Sequence, residues 1–508
     1  MHENREISST PSLVEEGRSA KAINHNADVY VLEKSHCAVV PVNQPNKEAE
    51  ASAEVGEGRV QMKENIAQPH MHPTQSGARM SQGLDGVRKA ARERRQERFT
   101  SMLHHLNVDL LRDSFNALQR KASPGVDGVT WQEYESGLDD RLIDLHSRVH
   151  RGVYRAQPSR RVYIPKADGR QRPLGIAALE DKVVQQAVVT ILNQIYEVDF
   201  KGFSYGFRPG RSPHQALDAL VVGIERKKVN WILDADVMGF FDNLSHEWAL
   251  KFIEHRVADQ RILRLIRKWL KAGISEDGQW SKTDKGTPQG AVISPLIANV
   301  YLHYLFDLWA DVWRRKEAKG DVIIVRYADD VVLGFQQRAD AVRFLEAFKE
   351  RLAKFGLALN PDKTRLIEFG RYAARDRSRR GEGKPETFNF LGFTHFCGQR
   401  HKTETFTVWR ITAKKLQRRK HDRTSQTGAW LRSVVTGYYQ YHAVPGNIDQ
   451  LRLFRQRVNR LWRGVLIRRS QRARKKWEKF VPVFDKWIPT PRVLHPYPEV
   501  RFYAIHPS

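Results

Sequence analysis

Two adjacent aspartates lie between two apolar runs in the segment 322–335, VIIVRYADDVVLGF. Both runs are rich in β-branched residues and flank Ala328, Asp329 and Asp330, which is typical of a β-hairpin with acidic residues at its tip. A solvated turn is the ordinary interpretation of such a pair, but these flanks are apolar enough to be buried in a sheet. Adjacent carboxylates repel each other, so a rigid turn that keeps both indicates a bound cation that offsets the repulsion.

A second acidic segment, 230–243 (NWILDADVMGFFDN), places Asp234 and Asp236 at the end of an apolar strand. If this strand neighbours the hairpin in one sheet, Asp236 can face Asp329, and Asp330 completes a set of three carboxylates. Such a set can hold two metal ions about 4 Å apart, which activate a hydroxyl nucleophile and stabilise a pyrophosphate leaving group. Mg²⁺ is expected because it takes carboxylate and phosphate oxygens together. Asp234 lies on the same strand face, so alternation does not exclude it.

The charge balance of the chain indicates a polyanionic partner. Its 508 residues include 85 Lys and Arg against 58 Asp and Glu, a net charge of +27. Nucleic acid and acidic membranes both attract such a protein. The sequence contains no run of about 18 or more apolar residues, so no membrane span is predicted. The N-terminus lacks the layout of a secretion signal. Only Cys37 and Cys397 occur, which excludes a disulfide framework and a multi-cysteine zinc module and fits a reducing cytosol. These observations favour nucleic acid.

Composition and periodicity divide the chain into three parts. Residues 1–85 are predicted to be a disordered extension, because the first 80 hold 8 Lys and Arg against 11 Asp and Glu and show no sustained period. Residues 86–395 alternate short apolar strands with amphipathic helices, which predicts an α+β fold. Residues 396–508 are predicted to be helical and basic, with 24 Lys and Arg against 6 Asp and Glu from residue 401 onward.

A series of short motifs in a fixed order resembles the reverse transcriptases that group II introns encode. YADD (Tyr327–Asp330) resembles their YxDD box, ILDADVMGFFDNL the preceding motif with its catalytic aspartate at Asp236, and GTPQGAVISPLIANVYL their PQG motif. The family's other polymerase motifs are similar to SPGVDGVT, YIPKADGRQRPLGI and SYGFRPGRSPHQA upstream, and to LALNPDKT and FNFLGF downstream. Near the C-terminus, LRSVVTGYYQYHAVPGN and RRSQRARKKWEKF look like the maturase, or X, domain.

The resemblance implies a right-hand polymerase fold, with fingers and palm in residues 86–395 and a helical thumb and maturase domain in 396–508. It implies RNA-directed DNA synthesis from an RNA template, a DNA primer and deoxynucleotides. It also implies binding of the parent group II intron RNA, to assist splicing and insertion into target DNA (retrohoming). A cytoplasmic ribonucleoprotein of bacterial type is expected, without a membrane partner. Many relatives carry a cysteine-bearing HNH endonuclease, and no cysteine follows Cys397, so no endonuclease domain is expected and the source of the primer stays open. A homodimer is also left open.

The resemblance also assigns roles to individual residues. The catalytic and metal-binding set is Asp236, Asp329 and Asp330, with Val237 as a further metal ligand. The nucleotide-binding set is Lys166, Arg172, Phe241, Gln289, Gly290 and Lys363. The RNA-binding set is Arg418, Arg419, Lys420, Arg468, Arg469 and Arg472. Arginine forks and lysine charges suit polyphosphate, and a glycine lets a ligand approach the backbone. Solvated surface charges remain the alternative for the basic residues, and a core aromatic for Phe241.

Three other functions remain open at this stage. A splicing cofactor could bind RNA without polymerising, but the intact aspartates count against it. A reverse transcriptase freed from its intron and used in defence or repair could have the same domain content. An RNA-dependent RNA polymerase would share the carboxylates, but Phe241 and the maturase-like segment count against it.

Phe241 lies five residues after Asp236 and resembles the bulky side chain that excludes a ribose 2′-hydroxyl. We therefore expect Phe241→Ala to raise ribonucleotide incorporation, measured by primer extension with each nucleotide type. Unchanged sugar selectivity would leave Phe241 as an ordinary core aromatic.

Overall fold

The computed structural model describes residues 75–165, 171–276, 278–399, 406–412, 424–468 and 477–505, folded as a mixture of helices and sheets. The helices are α1 Gln75–Glu93, α2 Val108–Ala117, α3 Trp131–Glu135, α4 Leu138–His150, α5 Leu179–Asp199, α6 Pro213–Arg226, α7 Phe240–Asn243, α8 His246–Glu254, α9 Gln260–Lys271, α10 Ser294–Leu302, α11 Leu308–Lys316, α12 Arg338–Ala353, α13 Ala373–Arg379, α14 Thr424–His442, α15 Ile448–Arg468, α16 Val481–Trp487 and α17 Pro498–Ile505. The strands are β1 Ser159–Pro165, β2 Gln171–Ile176, β3 Trp231–Asp236, β4 Ile274–Glu276, β5 Gln279–Ser281, β6 Val322–Tyr327, β7 Asp330–Phe335, β8 Arg365–Glu368, β9 Phe388–Phe390, β10 Phe393–Gln399 and β11 Phe406–Thr412.

One antiparallel sheet, in the order β6-β7-β3-β8, carries both acidic segments. Successive side chains of a strand point to opposite faces. Leu233 and Ala235 of β3 accordingly join a core with helices that include α8, α9 and α12, whereas Ile232 joins a second core with α6 and β9–β11. The central strand is therefore buried on both faces, as its apolar sequence predicts.

Two smaller sheets flank the central one. The first has the order β2-β1-β4-β5, with β1 antiparallel to β2 and parallel to β4. The second has the order β11-β10-β9. The prediction that the chain is helical from residue 396 is therefore wrong for β10 and β11, whose alternating aromatic and β-branched residues (FTHFCGQ, FTVWRIT) suit a pleated sheet. Helical structure starts again at Thr424.

The first helix begins earlier than the sequence indicated. Helix α1 starts at Gln75 rather than at about residue 86. Its buried residues Leu84, Val87 and Ala91 recur at helical spacing, so the apolar stripe already begins in the part that was assigned to a disordered extension. The remainder of that predicted extension, residues 1–74, lies outside the described residues.

The C-terminal helices form a third core and then return to the polymerase-like part. Helices α14, α15 and α16 bury Val435, Leu451 and Phe484 against one another. The segment after α16 ends in helix α17, which packs against α6. At this contact Arg501 Nε lies 2.8 Å from Asp218 Oδ2. Among the described residues, no helix is both long and apolar enough to span a membrane.

A buried carboxylate ties the segment before α2 to helix α9. Asp259 is 2% exposed, and its carboxylate accepts hydrogen bonds from the backbone N–H groups of Met102 (2.8 Å), Leu103 (3.0 Å) and Arg261 (2.9 Å). Burial alone would raise the pKa of Asp259, but the Arg261 side chain and the backbone donors outweigh burial and hold this pKa below its ordinary 3.8.

Asp259→Asn should lower the free energy of unfolding by about 1–3 kcal/mol, because it weakens acceptance of buried N–H groups. Since the pKa of Asp259 is depressed in the fold, its contribution is present above pH 3.8 and is lost as the pH falls through the lower folded-state value. Thermal unfolding measured from pH 7 to pH 3 should thus show a smaller acid-dependent decline in the variant. The exposed Asp140→Asn is the control; an equal change there would refute the assignment.

Candidate active site

The two acidic segments meet on neighbouring strands. Strand β6 ends at Tyr327 and β7 begins at Asp330, so Ala328 and Asp329 alone form the turn between them. Asp236, the last residue of β3, pairs directly with Asp330, and paired antiparallel residues have Cα atoms about 4.5–5.5 Å apart. The predicted adjacency of the two acidic strands is confirmed, whereas the metal-binding roles remain predictions.

The electrostatics of the turn favour a bound cation. Burial raises the pKa of Asp329, and the nearby negative charge of Asp236 raises it further, against a partial lowering by Arg172 and Arg326. Lys363 Nζ lies 3.5 Å from Asp236 Oδ2. A divalent ion bound beside Asp329 would favour its ionised form and offset this effect.

The three aspartates do not close into a complete metal cage. Within the described part of the chain, no group of three or more His, Cys, Asp and Glu side chains is close enough to hold an ion. Mg²⁺ usually keeps several waters and takes one or two carboxylates together with substrate phosphates. The oxygen donors of Asp236 and Asp329 therefore fit a divalent ion whose coordination the substrate completes.

The backbone after Asp236 leaves one carbonyl directed to the hairpin side. The Asp236 carbonyl accepts from Asn360 N–H at 2.8 Å, and Met238 N–H donates to the Ala358 carbonyl at 2.9 Å. Both bonds lie on one edge of the extended chain. Because consecutive carbonyls of an extended chain alternate, the Val237 carbonyl points to the other edge, where β7 lies. This direction is compatible with the predicted metal-binding role of Val237.

A glycine on a separate segment holds the turn from behind. Arg326 N–H donates to the Phe203 carbonyl at 2.9 Å, and Tyr205 N–H donates to the Arg326 carbonyl at 2.8 Å. Gly206 consequently lies against the turn, where an added Cβ would stand 2.2 Å from Ala328 N. Ala328 itself has a φ of +56°, which strains a residue with a Cβ. The contact with Gly206 constrains the turn in this conformation.

A buried guanidinium holds the same turn from its carbonyl side. Arg326 and Asp307 are both fully buried, and they form a bidentate pair with N–O distances of 2.7 and 2.6 Å. Arg326 also donates to Asn299 Oδ1 at 3.0 Å and to the Ala328 carbonyl at 2.9 Å, while Asn299 donates to the Gly206 carbonyl at 2.7 Å. One network therefore fixes both the turn and its support.

The helix that supplies Asp307 is irregular at this point. Helices α10 and α11 are joined by a π-helical turn, His303–Asp307, a distortion that often marks functional sites. Burial would raise the pKa of Asp307, but the charges and hydrogen bonds of Arg326 and His303 together outweigh burial and keep this pKa below 3.8. This pair was not predicted from the sequence, where its only signal is a lone arginine inside an apolar strand and an aspartate inside an apolar helix.

The loop 286–290 connects the carboxylate strand to the β1–β2 hairpin. Thr287 N–H donates to the Phe241 carbonyl at 2.8 Å, and Gly175 N–H in β2 donates to the Gln289 carbonyl at 2.8 Å. Gly290 has a φ of +119°, and a Cβ there would stand 2.8 Å from the Gly175 carbonyl oxygen. The glycine is thus required by the close approach of two backbones, a role that the sequence analysis did not foresee.

The remaining predicted residues fall into two groups. Arg172 is exposed on β2 and close enough to lower the pKa of Asp329, and the partly buried Phe241 ring packs edge-on against Phe240 with centroids 5.5 Å apart. The predicted residues outside the described part of the chain are Lys166, Arg418, Arg419, Lys420, Arg469 and Arg472. Arg468 ends α15, and its side chain is not described.

Comparison with known proteins agrees with this geometry. Residues 164–395 match the family model described as reverse transcriptase (RNA-dependent DNA polymerase). Protein YkfC of Escherichia coli is 35% identical over 51% of this chain and 78% of its own length. The group II intron-encoded protein LtrA of Lactococcus lactis is 36% identical over 44% of this chain and 37% of its own length. An uncharacterized 91 kDa protein in the cob intron of Schizosaccharomyces pombe is 34% identical over 43% of this chain and 27% of its own length. The chain thus spans about a third of the intron-encoded relatives that it matches.

Gly206→Ala should slow primer extension by about 100-fold, because a displacement of about 1 Å at the reacting centre has that effect. The new methyl group must push away Ala328 N, which an added Cβ would approach to 2.2 Å. The matched control is Gly202→Ala, since a Cβ there meets no atom within 4 Å. Single-turnover rates at saturating nucleotide give the comparison, with circular dichroism to confirm folding. Equal rates in both variants would contradict the supporting role of Gly206.

Proposed function

Because this chain belongs to the reverse transcriptases of the group II intron-encoded type, which are RNA-directed DNA polymerases, we propose that Asp236, Asp329 and Asp330 form its catalytic centre with two Mg²⁺ ions. The observation that carries the proposal is the strand register, which sets Asp236 opposite Asp330 and beside the turn that holds Asp329. The raised pKa of Asp329 next to Asp236 supports the same site. Reverse transcriptases in general depend on divalent metal ions. That the ions are Mg²⁺ and that two of them bind is part of what we propose.

The reaction joins the primer 3′-oxygen to the α-phosphorus of a deoxynucleoside triphosphate and releases pyrophosphate. Two bound divalent ions favour ionisation of the 3′-hydroxyl and stabilise the leaving group. Asp236, Asp329 and Asp330 would hold these ions through carboxylate oxygens, and Val237 through its carbonyl oxygen. Lys363, whose Nζ lies 3.5 Å from Asp236 Oδ2, is placed to contact a phosphate or to donate a proton to the pyrophosphate.

The nucleotide site is proposed on the side of the β1–β2 hairpin. Arg172 is exposed there and is near enough to lower the pKa of Asp329, so its guanidinium can contact the triphosphate. Gln289 and Gly290 belong to the loop 286–290, which is hydrogen-bonded to both β2 and Phe241. The Phe241 side chain would exclude a nucleotide whose sugar carries a 2′-hydroxyl. Lys166 takes its triphosphate-binding role from the family resemblance alone.

The architecture is proposed to be a right hand, with fingers and palm up to about residue 395. The strands β10 and β11 extend the palm side, and the helices from Thr424 onward correspond to the thumb and maturase domain. Since basic residues are in excess from residue 401 onward, 24 against 6 acidic, this part is proposed to bind group II intron RNA and to assist splicing and insertion into target DNA. We assign the RNA contacts, within a cytoplasmic ribonucleoprotein, to the basic residues Arg418, Arg419, Lys420, Arg468, Arg469 and Arg472.

Asp329→Asn should reduce primer extension on an RNA template by at least about 1,000-fold, because removal of a metal ligand costs several kcal/mol of transition-state stabilisation. The matched control is Asp242→Asn, an exposed aspartate of the same motif, which should stay within about twofold of the wild type.

Binding of group II intron RNA by the Asp329→Asn variant should be unchanged in a filter-binding titration. A wild-type protein that binds this RNA but extends no primer with Mg²⁺ or Mn²⁺ would instead indicate a splicing cofactor without polymerase activity.

A further inference from the structure

Helix α9 has a polar face that is entirely uncharged or basic. Its sequence is QRILRLIRKWLK, and the residues Ile262, Leu263, Leu265, Ile266, Trp269 and Leu270 are buried. The remaining positions are Gln260, Arg261, Arg264, Arg267, Lys268 and Lys271. A solvated helix face normally mixes charges of both signs, because pairs three or four residues apart stabilise it.

The segment that follows α4 adds further positive charge beside this face. Lys268 Nζ donates to the Gly152 carbonyl at 3.1 Å and to the Tyr154 carbonyl. Arg264 lies so close to Gly152 that an added Cβ would meet its guanidinium at 3.7 Å. Burial lowers the pKa of Lys268, and the positive charges of Arg264 and Arg155 lower it further. The three cations therefore form one mutually repelling cluster.

The arginines of this cluster and two further arginines beside it are not paired with acidic residues. Arg151, Arg155, Arg264 and Arg267 form no ion pair with any described residue, although the neighbouring Arg148 is paired with Asp144 and Glu180. Like charges held together without counter-charges destabilise a fold unless an anion offsets them. A bound polyanion would therefore neutralise the positive charges of this surface and offset their repulsion.

An exposed aromatic ring lies at the C-terminal end of the helix. Trp280 is 59% exposed, and its Nε1 donates to the Ala272 carbonyl at 3.0 Å, which fixes the ring next to the last turn of α9. Aromatic rings beside a basic surface stack on unpaired bases of single-stranded nucleic acid.

Helix α9 turns its apolar side to the core and its basic side outward. The buried side of α9 belongs to the same core as Leu233 and Ala235 of β3. Asp236 alternates with those residues, so its side chain points to the opposite face of the sheet. The basic face of α9 is turned outward from this core.

We propose that the α9 surface, defined as Arg151, Arg155, Arg264, Arg267, Lys268 and Trp280, binds the phosphate backbone and an unpaired base of a folded RNA outside the catalytic cleft. The proposal rests on the proposed function to the extent that the chain binds RNA. It adds a second RNA-contacting region, distinct from the basic C-terminal segment.

The test is a titration of a stem–loop RNA into protein whose cleft is saturated with a short primer–template. The double variant Arg155→Gln with Arg264→Gln should bind this RNA more weakly. Its slope of log affinity against log salt should be shallower by about 1.5, since each lost phosphate contact contributes about 0.7–0.9. The matched control, Lys316→Gln with Lys354→Gln, removes the same charge from exposed positions and should leave the slope unchanged.

Trp280→Ala should weaken binding of the stem–loop RNA by about fivefold or more, because one base stack is lost. Binding of a fully paired hairpin stem should change less. Equal losses for both RNAs would overturn the stacking part of the proposal.

Three outcomes would overturn the proposal: an unchanged salt slope in the arginine variant, an equal change in the lysine control, or a loss confined to primer–templates with long 5′ overhangs. The last result would assign the surface to the template strand instead. Primer extension on the short substrate should stay within about twofold of wild type in both double variants. Absence of extension in the wild type would refute the polymerase proposal, while the RNA titration would still report on this surface.

Discussion

The fully buried ion pair between Arg326 and Asp307 is the interaction on which the geometry of the acidic turn depends. Removing both charges from water is costly, and only good geometry with further hydrogen bonds can compensate. Here the bidentate pair is completed by Asn299 and by the Ala328 carbonyl of the turn itself. A positive charge that is buried for structural reasons is thereby fixed one peptide away from Asp329. The hairpin tip has little freedom, because its Ala328 carbonyl accepts a hydrogen bond from the buried Arg326 guanidinium.

The same constraint explains how the carboxylates of Asp236 and Asp329 are kept close together. Asp236 and burial both disfavour ionisation of Asp329, while Arg326 and Arg172 partly oppose this effect. The pKa of Asp329 is thus raised above its ordinary 3.8, and the backbone of the turn is already in place. Preorganised charge of this kind stabilises a transition state without rearrangement during the reaction. The strain at Ala328, with its φ of +56°, is held by the Gly206 contact and the buried network.

Sequence reasoning found the parts of the site that follow a local pattern. The apolar runs around YADD and before Asp236 predicted two strands and their acidic ends, and the register confirmed that they are neighbours. The partners of Arg326 could not be predicted, because Asp307 and Asn299 lie on a distant helix and no periodicity links them. The strand β11 was mistaken for helix because its basic neighbours dominated the composition. Helix α1 was placed too late because its apolar stripe, Leu84 to Ala91, is sparse.

The alternation of side chains along β3 also separates two kinds of chemistry. Leu233 and Ala235 turn toward the core that carries α9, whereas Asp236 turns toward the opposite face. A strand of six residues therefore turns the Asp236 carboxylate away from the core to which α9 contributes its apolar side. Unpaired arginines directly beside Asp236 and Asp329 would neutralise these aspartates and compete with any cation for them. Alternation along one short strand thus helps a strongly basic chain to keep neighbouring carboxylates together.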